Sequence, residues 1–378
     1  MAVSSCSYSS SWSDLLPELI DVVFNNLDDA GDILNCATVC ASWRYSSSAV
    51  YTRKFVPSLF VSSLSHLSAD EETQFSDQFR ILSPRNLGNN QRWVCGGTRG
   101  FLLTVNVSFP FQVNLQNPFT NTVVSLPPLI SFEDAQRLLQ SQAIFQDSQT
   151  LKNFVKKAVS STSLLDPDWV VVVIYNTDGK LAFCRRGDEQ WTDLDSDHVA
   201  SSVDDIVFCN GVFFAIDRIG EIYQCELNPN NPKAVPLCSA SPFRYDPCKK
   251  YFAESDFGKL WVVLKKLELN DDCDFTVFFE IYEFSPETKE WTVVRSLRGK
   301  ALFLSPQGGC IAVLAGETGS RGFIKDNSVY FVDGNEASVG SGSPNLSVFE
   351  WDSKQIKKLY QPRSWNCEMF WVTPTDVE

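Results

Sequence analysis

Histidine is almost missing: His66 and His198 are the only two in 378 residues. That scarcity excludes most zinc sites and general-base constellations, which need imidazoles at ligand or hydrogen-bond spacing. The 12 cysteines do not make up for it, because no CxxC occurs and the closest pair is Cys36 and Cys40. Several sit inside apolar runs, as in Val207-Phe208-Cys209 and Ala182-Phe183-Cys184, where a thiol packs as a small hydrophobe. Buried free thiols and a reducing compartment are the expectation. Long hydrophobic runs are lacking too: Trp169 to Tyr175 falls far short of the roughly 20 residues that cross a bilayer. The opening stretch, Met1 to Ser11, carries neither the basic nor the apolar region of a secretory signal, and reads as a Ser-rich disordered tail. The sequons at Asn106-Val107-Ser108 and Asn345-Leu346-Ser347 mean nothing without secretion. A protein acting inside the cell, in nucleus or cytoplasm, is expected.

Positive charge is also in deficit, with 32 Lys and Arg against 46 Asp and Glu and a net of −14. Such a chain repels a phosphate backbone and an anionic membrane surface, so neither nucleic acid nor membrane is an expected partner. The pairs Lys156-Lys157 and Lys357-Lys358 are too short to reverse that balance. Catalytic signatures are missing as well. Gly96-Gly97-Thr98-Arg99-Gly100 runs into a strand pattern, whereas a phosphate cradle needs a helix N-terminus, so a hairpin turn is the simpler reading. Gly316 to Gly322 likewise precedes a strand, as a loop that borders the binding face. There is no GxSxG elbow. His198, beside Asp195 and Asp197, reads as a solvated loop; Asp204-Asp205 and Asp271-Asp272 read as exposed turns. No catalytic, metal-binding or cofactor-binding residue is expected.

What is abundant is aromatic. The 28 Phe, 10 Trp and 10 Tyr, with many Val, favour strands. The length suits two unequal domains. The first, from Trp12 to about Ser48, has helical period: Leu16, Leu19, Ile20, Val23, Phe24 and Leu27 form one apolar stripe. Asp14 is placed to cap, and Pro17 and Glu18 suit a first turn. Asp28-Asp29-Ala30-Gly31 breaks the helix. Asp32 then caps a second one carrying Ile33, Leu34, Ala37 and Cys40, with Trp43 anchoring a last turn. A unit of roughly 40 residues cannot bury both sides of such helices, so the stripe meets either its own C-terminal domain or a partner.

Residues 49–87 read as a polar connector with one or two short helices. Beyond it the chain becomes β-hairpins. Val170 to Tyr175, a turn at Asn176 to Gly179 and Lys180 to Cys184 make one; Val207-Phe208, Asn210-Gly211 and Val212 to Ile216 make another. Gly187-Asp188-Glu189-Gln190-Trp191-Thr192 and Glu287-Thr288-Lys289-Glu290-Trp291-Thr292 are near copies of one device, a polar turn followed by a Trp that seals the next strand. Sets recurring at roughly 40 to 50 residues indicate propeller blades, about six over residues 88–374; a β-sandwich pair is the alternative. Phe132 to Val159 breaks the pattern and reads as an inserted helix or long loop. The fold class is thus mainly β, with a small helical module in front.

Two stretches carry a family resemblance. Trp12-Ser13-Asp14-Leu15-Leu16-Pro17-Glu18-Leu19-Ile20, Leu27, Asp32-Ile33-Leu34 and Val39-Cys40-Ala41-Ser42-Trp43-Arg44 resemble an F-box over residues 12–48. Leu16 stands where that family's first proline usually sits. Gly100 to Thr104, Leu115 to Thr120 with Leu126 to Leu129, Val155 to Ser160, Asp188 to Thr192 and Phe370 to Pro374 resemble the KIB-type propeller of plant F-box proteins. The resemblance implies a non-catalytic substrate-recognition subunit of a Skp–cullin–F-box (SCF) ubiquitin ligase. Its F-box would bind the Skp-type adaptor, and through it a cullin, by Leu15, Leu16, Pro17, Glu18, Leu19, Ile20, Val23, Leu27, Val39 and Trp43. The propeller would hold a target protein. A propeller scaffold with a degenerate F-box, working outside any ligase, is the alternative. The closing Trp371 strand is expected to pair with the first blade.

Overall fold

The computed structural model describes residues 12–27, much of 32–62, 79, 81–82, 92–98, 100–140, 148–162, 164, 166–195, 199, 201–238, 241–269, 275–306, 309–315, 324–333, 345–360 and 368–373. The expected tail, the breaker at 28–31, His198, Asp271-Asp272 and the glycine-rich loop at 316–322 lie outside them.

A single 3-10 turn at Trp12–Asp14 leads into α1 (Pro17–Asn25). Pro17 occupies the first turn, as its missing N–H and fixed φ favour. The N-cap is Leu16, with no side-chain cap bond, and not Asp14, which belongs to the turn before. Residues 32, 33, 36, 42–44, 46, 47 and 50 are also helical.

The expected connector is not merely a link. It supplies β1 (Ser58–Val61) and β2 (Ile81–Leu82), which pair in parallel. Strands of four and two residues leave too little alternation to stand out in a polar stretch. The first blade is β3 (Arg92–Thr98), β4 (Phe101–Asn106), β5 (Val113–Gln116) and β6 (Val123–Ser125). Helices α2 (Glu133–Gln140) and α3 (Ser148–Lys152) follow, within the irregular stretch seen in the sequence. That stretch ends earlier than expected, because Val155 already opens β7 (Val155–Ser160), whose hydrogen-bonding partner is β8 (Val170–Tyr175). With β9 (Lys180–Arg185) and β10 (Thr192–Asp193) they form the second blade.

The third blade is β11 (Val203–Cys209), β12 (Val212–Asp217), β13 (Ile222–Glu226) and β14 (Lys233–Cys238). The fourth is β15 (Lys250–Glu254), β16 (Leu260–Leu269), β17 (Phe275–Ser285) and β18 (Glu290–Val293). The fifth holds β19 (Lys300–Ser305), β20 (Gly309–Leu314), β21 (Ser328–Asp333), β22 (Asn345–Glu350) and β23 (Gln355–Tyr360), with β19 and β21 parallel. Last comes β24 (Met369–Val372).

The inner strands meet in a closed circuit: β3 lies against β7, β7 against β11, β11 against β15, β15 against β20, β19 against β24, and β24 against β3. Five sheets of four or five strands are full blades, and the remaining place is a three-stranded sheet, β2-β1-β24. This corrects the expected count of about six to a five-bladed propeller with a short closing sheet. The Trp371 strand packs on the first blade but hydrogen-bonds to β1, with Leu59 opposite Trp371. Early and late chain segments thus complete the sheet together.

Blade strands read as unbroken apolar runs because each is covered on both faces. Along β8, Val171, Val173 and Tyr175 enter the core shared with the first blade, while Val172 and Ile174 enter the one shared with the third. The same alternation sends Trp261 and Val263 one way, and Leu260, Val262 and Leu264 the other. Hairpin chemistry holds where it was legible: Asn210 and Gly211 both have positive φ, 48° and 80°, as a two-residue type I′ turn demands. The tryptophans do more than seal their own strand. Trp191 donates its indole N–H to Pro127 O at 2.9 Å, Trp291 to Cys238 Sγ at 3.3 Å and Trp351 to Arg295 O at 2.9 Å. Each bond reaches back to the outer edge of the preceding blade, so the recurring Trp is an inter-blade staple.

Candidate functional site

Helix α1 is apolar on two faces. Ile20 and Phe24, one turn apart, are fully buried in a core that also holds Ile33, Trp43, Leu59, Phe79, Phe303, Tyr330 and Trp371. The helical segment is therefore docked on the last blade and the closing sheet. Trp43 is its pillar: its ring meets Phe24 edge-on at 5.5 Å, and its indole donates to Trp12 O at 2.9 Å.

The outer face stays bare. Trp12 is 70% exposed, Leu16 63%, Leu19 51%, Val22 56% and Val39 52%. A surface helix normally turns polar side chains outward. Here a cluster of large apolar side chains, flanked by exposed Glu18 and Asp21, faces solvent, which marks an interaction surface more often than a plain one. Of the ten residues singled out in the sequence, Leu16, Pro17, Glu18 and Leu19, at the start of α1, and Val39, beyond it, are exposed. Leu15, Val23 and Leu27 are half-buried against the core. Ile20 and Trp43 are inside and support the surface from beneath, unavailable to a partner in this arrangement. Trp12 and Val22 were missed; i, i+3 spacing from Leu19 would have found Val22.

A second feature lies at the propeller axis. The first residues of β7, β11, β15 and β20, with the β8–β9, β12–β13 and β19–β20 turns, surround a pocket of about 450 Å3. Asp204 and Asp205, expected as exposed turns, open β11 beside this pocket. Asp205 is 1% exposed, pairs with Lys157 and accepts the Phe252 N–H at 2.8 Å, tying together the inner strands of three blades. Lys250 is fully buried and donates to the carbonyls of Arg218, Asp246 and Cys248 at 2.6, 2.8 and 2.9 Å.

Other expectations find their place. Gly96, Gly97, Thr98 and Gly100 sit in the β3–β4 hairpin, with Gly97 opposite Leu102 and Thr98 opposite Phe101. The nine described cysteines are free. Burial pushes the Cys95 and Cys225 thiols up to about 12, far from thiolate reactivity. Among the described residues no helix is long and apolar enough to cross a membrane, and no cluster of His, Cys, Asp and Glu is arranged to hold a metal.

Fold and surface define a class first: a mainly β propeller that carries a docked helical segment with an apolar outer face. The family model of the KIB1-4 beta-propeller matches residues 68–350. The Arabidopsis thaliana protein named "Putative F-box protein At5g55150" is 73% identical over 98% of both chains. From the same plant, F-box protein At2g26160 is 26% identical over 87% of this chain and 97% of its own, and F-box protein SKIP23 25% identical over 96% and 94%. The chain belongs to this family of plant F-box proteins with a KIB1-4 β-propeller. Among solved structures, a protein of unknown function from Desulfotomaculum acetoxidans aligns over 76% of this chain and 77% of its own, at TM-score 0.37 and 12% identity, too loosely to bear on function.

Proposed function

We propose that this chain is the substrate-recognition subunit of an SCF ubiquitin ligase, with residues 12–48 as the F-box. The exposed residues Leu16, Pro17, Glu18, Leu19, Val22 and Val39 dock on the Skp-type adaptor, and the propeller presents a target protein to the transfer machinery. Catalysis comes from proximity that other subunits supply, and this chain contributes no reacting group. The observation that carries the reading is the two-sided helix. One face of α1 is locked to the propeller and the other is left apolar and bare, in a chain whose relatives are named F-box proteins. Each large aliphatic side chain covered by a partner contributes about 1.5–3 kcal/mol, set against the cost of association. The rigid docking fixes the distance from adaptor to propeller, as a ligase geometry requires.

Co-expression of the full chain with a plant Skp-type adaptor and cullin tests the assembly. The three are expected to co-purify as one complex. Recovery of folded chain with no adaptor bound overturns the reading and returns the protein to a scaffold that works outside any ligase.

A further inference from the structure

We propose that a cleft between the fourth and fifth blades docks a peptide segment of a partner protein, one that inserts an aromatic side chain flanked by an acidic residue. The inference needs no adaptor and is tested without one, so it stands or falls apart from the ligase reading.

Two other places in the molecule show what this cleft lacks. Trp191, Trp291 and Trp351 each staple a blade to the one before it, and at two of the three the link between those blades adds a phenylalanine. Phe132, in the link from the first blade to the second, stacks on Trp191 with ring centres 5.2 Å apart. Phe243, in the link from the third to the fourth, meets Trp291 edge-on at 5.1 Å. Both phenylalanines are buried. The link from the fourth blade to the fifth, residues 294–299, holds no aromatic residue. Its leucine, Leu297, is fully buried in the core between the blades and does not line the cleft. A space of about 360 Å3 is left beside Trp351, within the size of clefts that hold small groups. What covers the ring there is the Lys354 ammonium, 3.9 Å from its centre.

The walls narrow the occupant. Phe279, Ile281 and Val294 line the cleft with apolar surface, and Val293, 64% exposed, adds to it. Phe279 is itself held edge-on by Phe331 and Phe349 at 5.1 and 5.3 Å, so this wall is preformed and needs little ordering on binding. An aromatic side chain gains both buried area and ring contact with Trp351, the arrangement that Phe132 and Phe243 make internally. Charge selects its neighbour. Glu280, the one carboxylate lining the cleft, is already held by Lys266 at 2.7 Å. Arg295 and Lys354 are exposed, and neither side chain makes an ion pair or hydrogen bond among the described residues. A ring entering the cleft takes the place of Lys354 on Trp351. The freed ammonium and the Arg295 fork then face a carboxylate beside that ring.

Calorimetric titration of the full chain with the peptide acetyl-Ser-Asp-Phe-Asp-Ser-amide is the test. Saturable binding is expected, weakened at least about thirtyfold when alanine replaces the peptide's phenylalanine. Val293→Asp, which sets an anion at the cleft, is expected to weaken binding about tenfold or more, and Arg295→Gln and Lys354→Gln about two- to fivefold each. Val123→Asp, at another exposed valine on the outer strand of the first blade, is expected to bind as wild type. All four sites are exposed, so the variants remain folded, which thermal unfolding verifies. No binding at millimolar peptide, equal binding of the alanine peptide, or equal binding by wild type and Val293→Asp overturns the proposal. Light scattering checks the rival occupant: self-association of the wild type that Val293→Asp abolishes gives the cleft to a second copy of the chain and likewise overturns it.

Discussion

The outer face of α1 and the axial end of the propeller break the molecule's averages in opposite ways. The first exposes leucine, valine and tryptophan where a surface helix is ordinarily polar; the second gathers cations in a chain with a large excess of acid. Their foundations differ as well. Behind α1 lies an apolar core, so the exposed residues hang on packing. Around the pocket lies a polar lattice of buried ions, Lys157 with Asp205 and Lys250 with three carbonyls. The lesson is that an exposed residue is best judged by what fixes the residue beneath it. Leu19 is held in place by Ile20 and Phe24, and Arg218 by a turn whose own carbonyl binds a buried lysine.

That contrast breaks most sharply at its foundations. Asp205→Ala strips Lys157 of its partner and leaves the Phe252 N–H without an acceptor, and about 3–5 kcal/mol of stability is expected to go. Urea unfolding measures it. Ile20→Ala opens a cavity beneath the helix and is expected to cost about 3 kcal/mol by the same assay.

Glu283 sharpens the comparison from the charged side, as a buried carboxylate held by two cations, Lys259 and Arg298. Burial alone raises its carboxyl, but hydrogen bonds from Arg298, Lys259, Ser255 and Trp261 outweigh that and bring it down to about 2. Its folded value lies below its unfolded one, so its stabilisation is complete above the ordinary carboxylate range. It is lost as pH falls from about 4.5 toward about 2, a drop of roughly 2–3 kcal/mol. Glu283→Gln is expected to flatten the acid limb of a stability-versus-pH curve in that window. The smallest effect falls on the exposed ridge, where Leu19→Ala is expected to shift stability by no more than about 0.5 kcal/mol.

Much of the propeller was legible, and for a plain reason. Blade strands such as Val170–Tyr175 are buried on both faces and end in turns like Asn210-Gly211 whose φ values few other residues tolerate. Among the strands missed were β1 and β2, too short to show a period, and β19, whose parallel pairing to β21 has no local signature. The near-copy Trp segments showed that something recurs, but the bond runs to another blade, as from Trp191 to Pro127. The apolar stripe of α1 was visible in full, yet a helix apolar on two faces does not say which one is covered. Hence Ile20 and Trp43 joined the candidate surface and Val22 did not. The pocket was illegible altogether: Lys157 and Asp205 are 48 positions apart, and in sequence each is half of an unremarkable charged pair.

The most direct measurement is the affinity of a purified plant Skp-type adaptor for the full chain, titrated against wild type, Leu19→Asp and Leu267→Asp. Leu267 is an exposed leucine on β16, at 44%. Leu19→Asp is expected to weaken binding by about a hundredfold, two apolar contacts' worth, with thermal unfolding unchanged. Leu267→Asp is expected to bind as wild type. Equal affinity for all three, with every variant folded, contradicts the claim that the bare face of α1 is the docking surface.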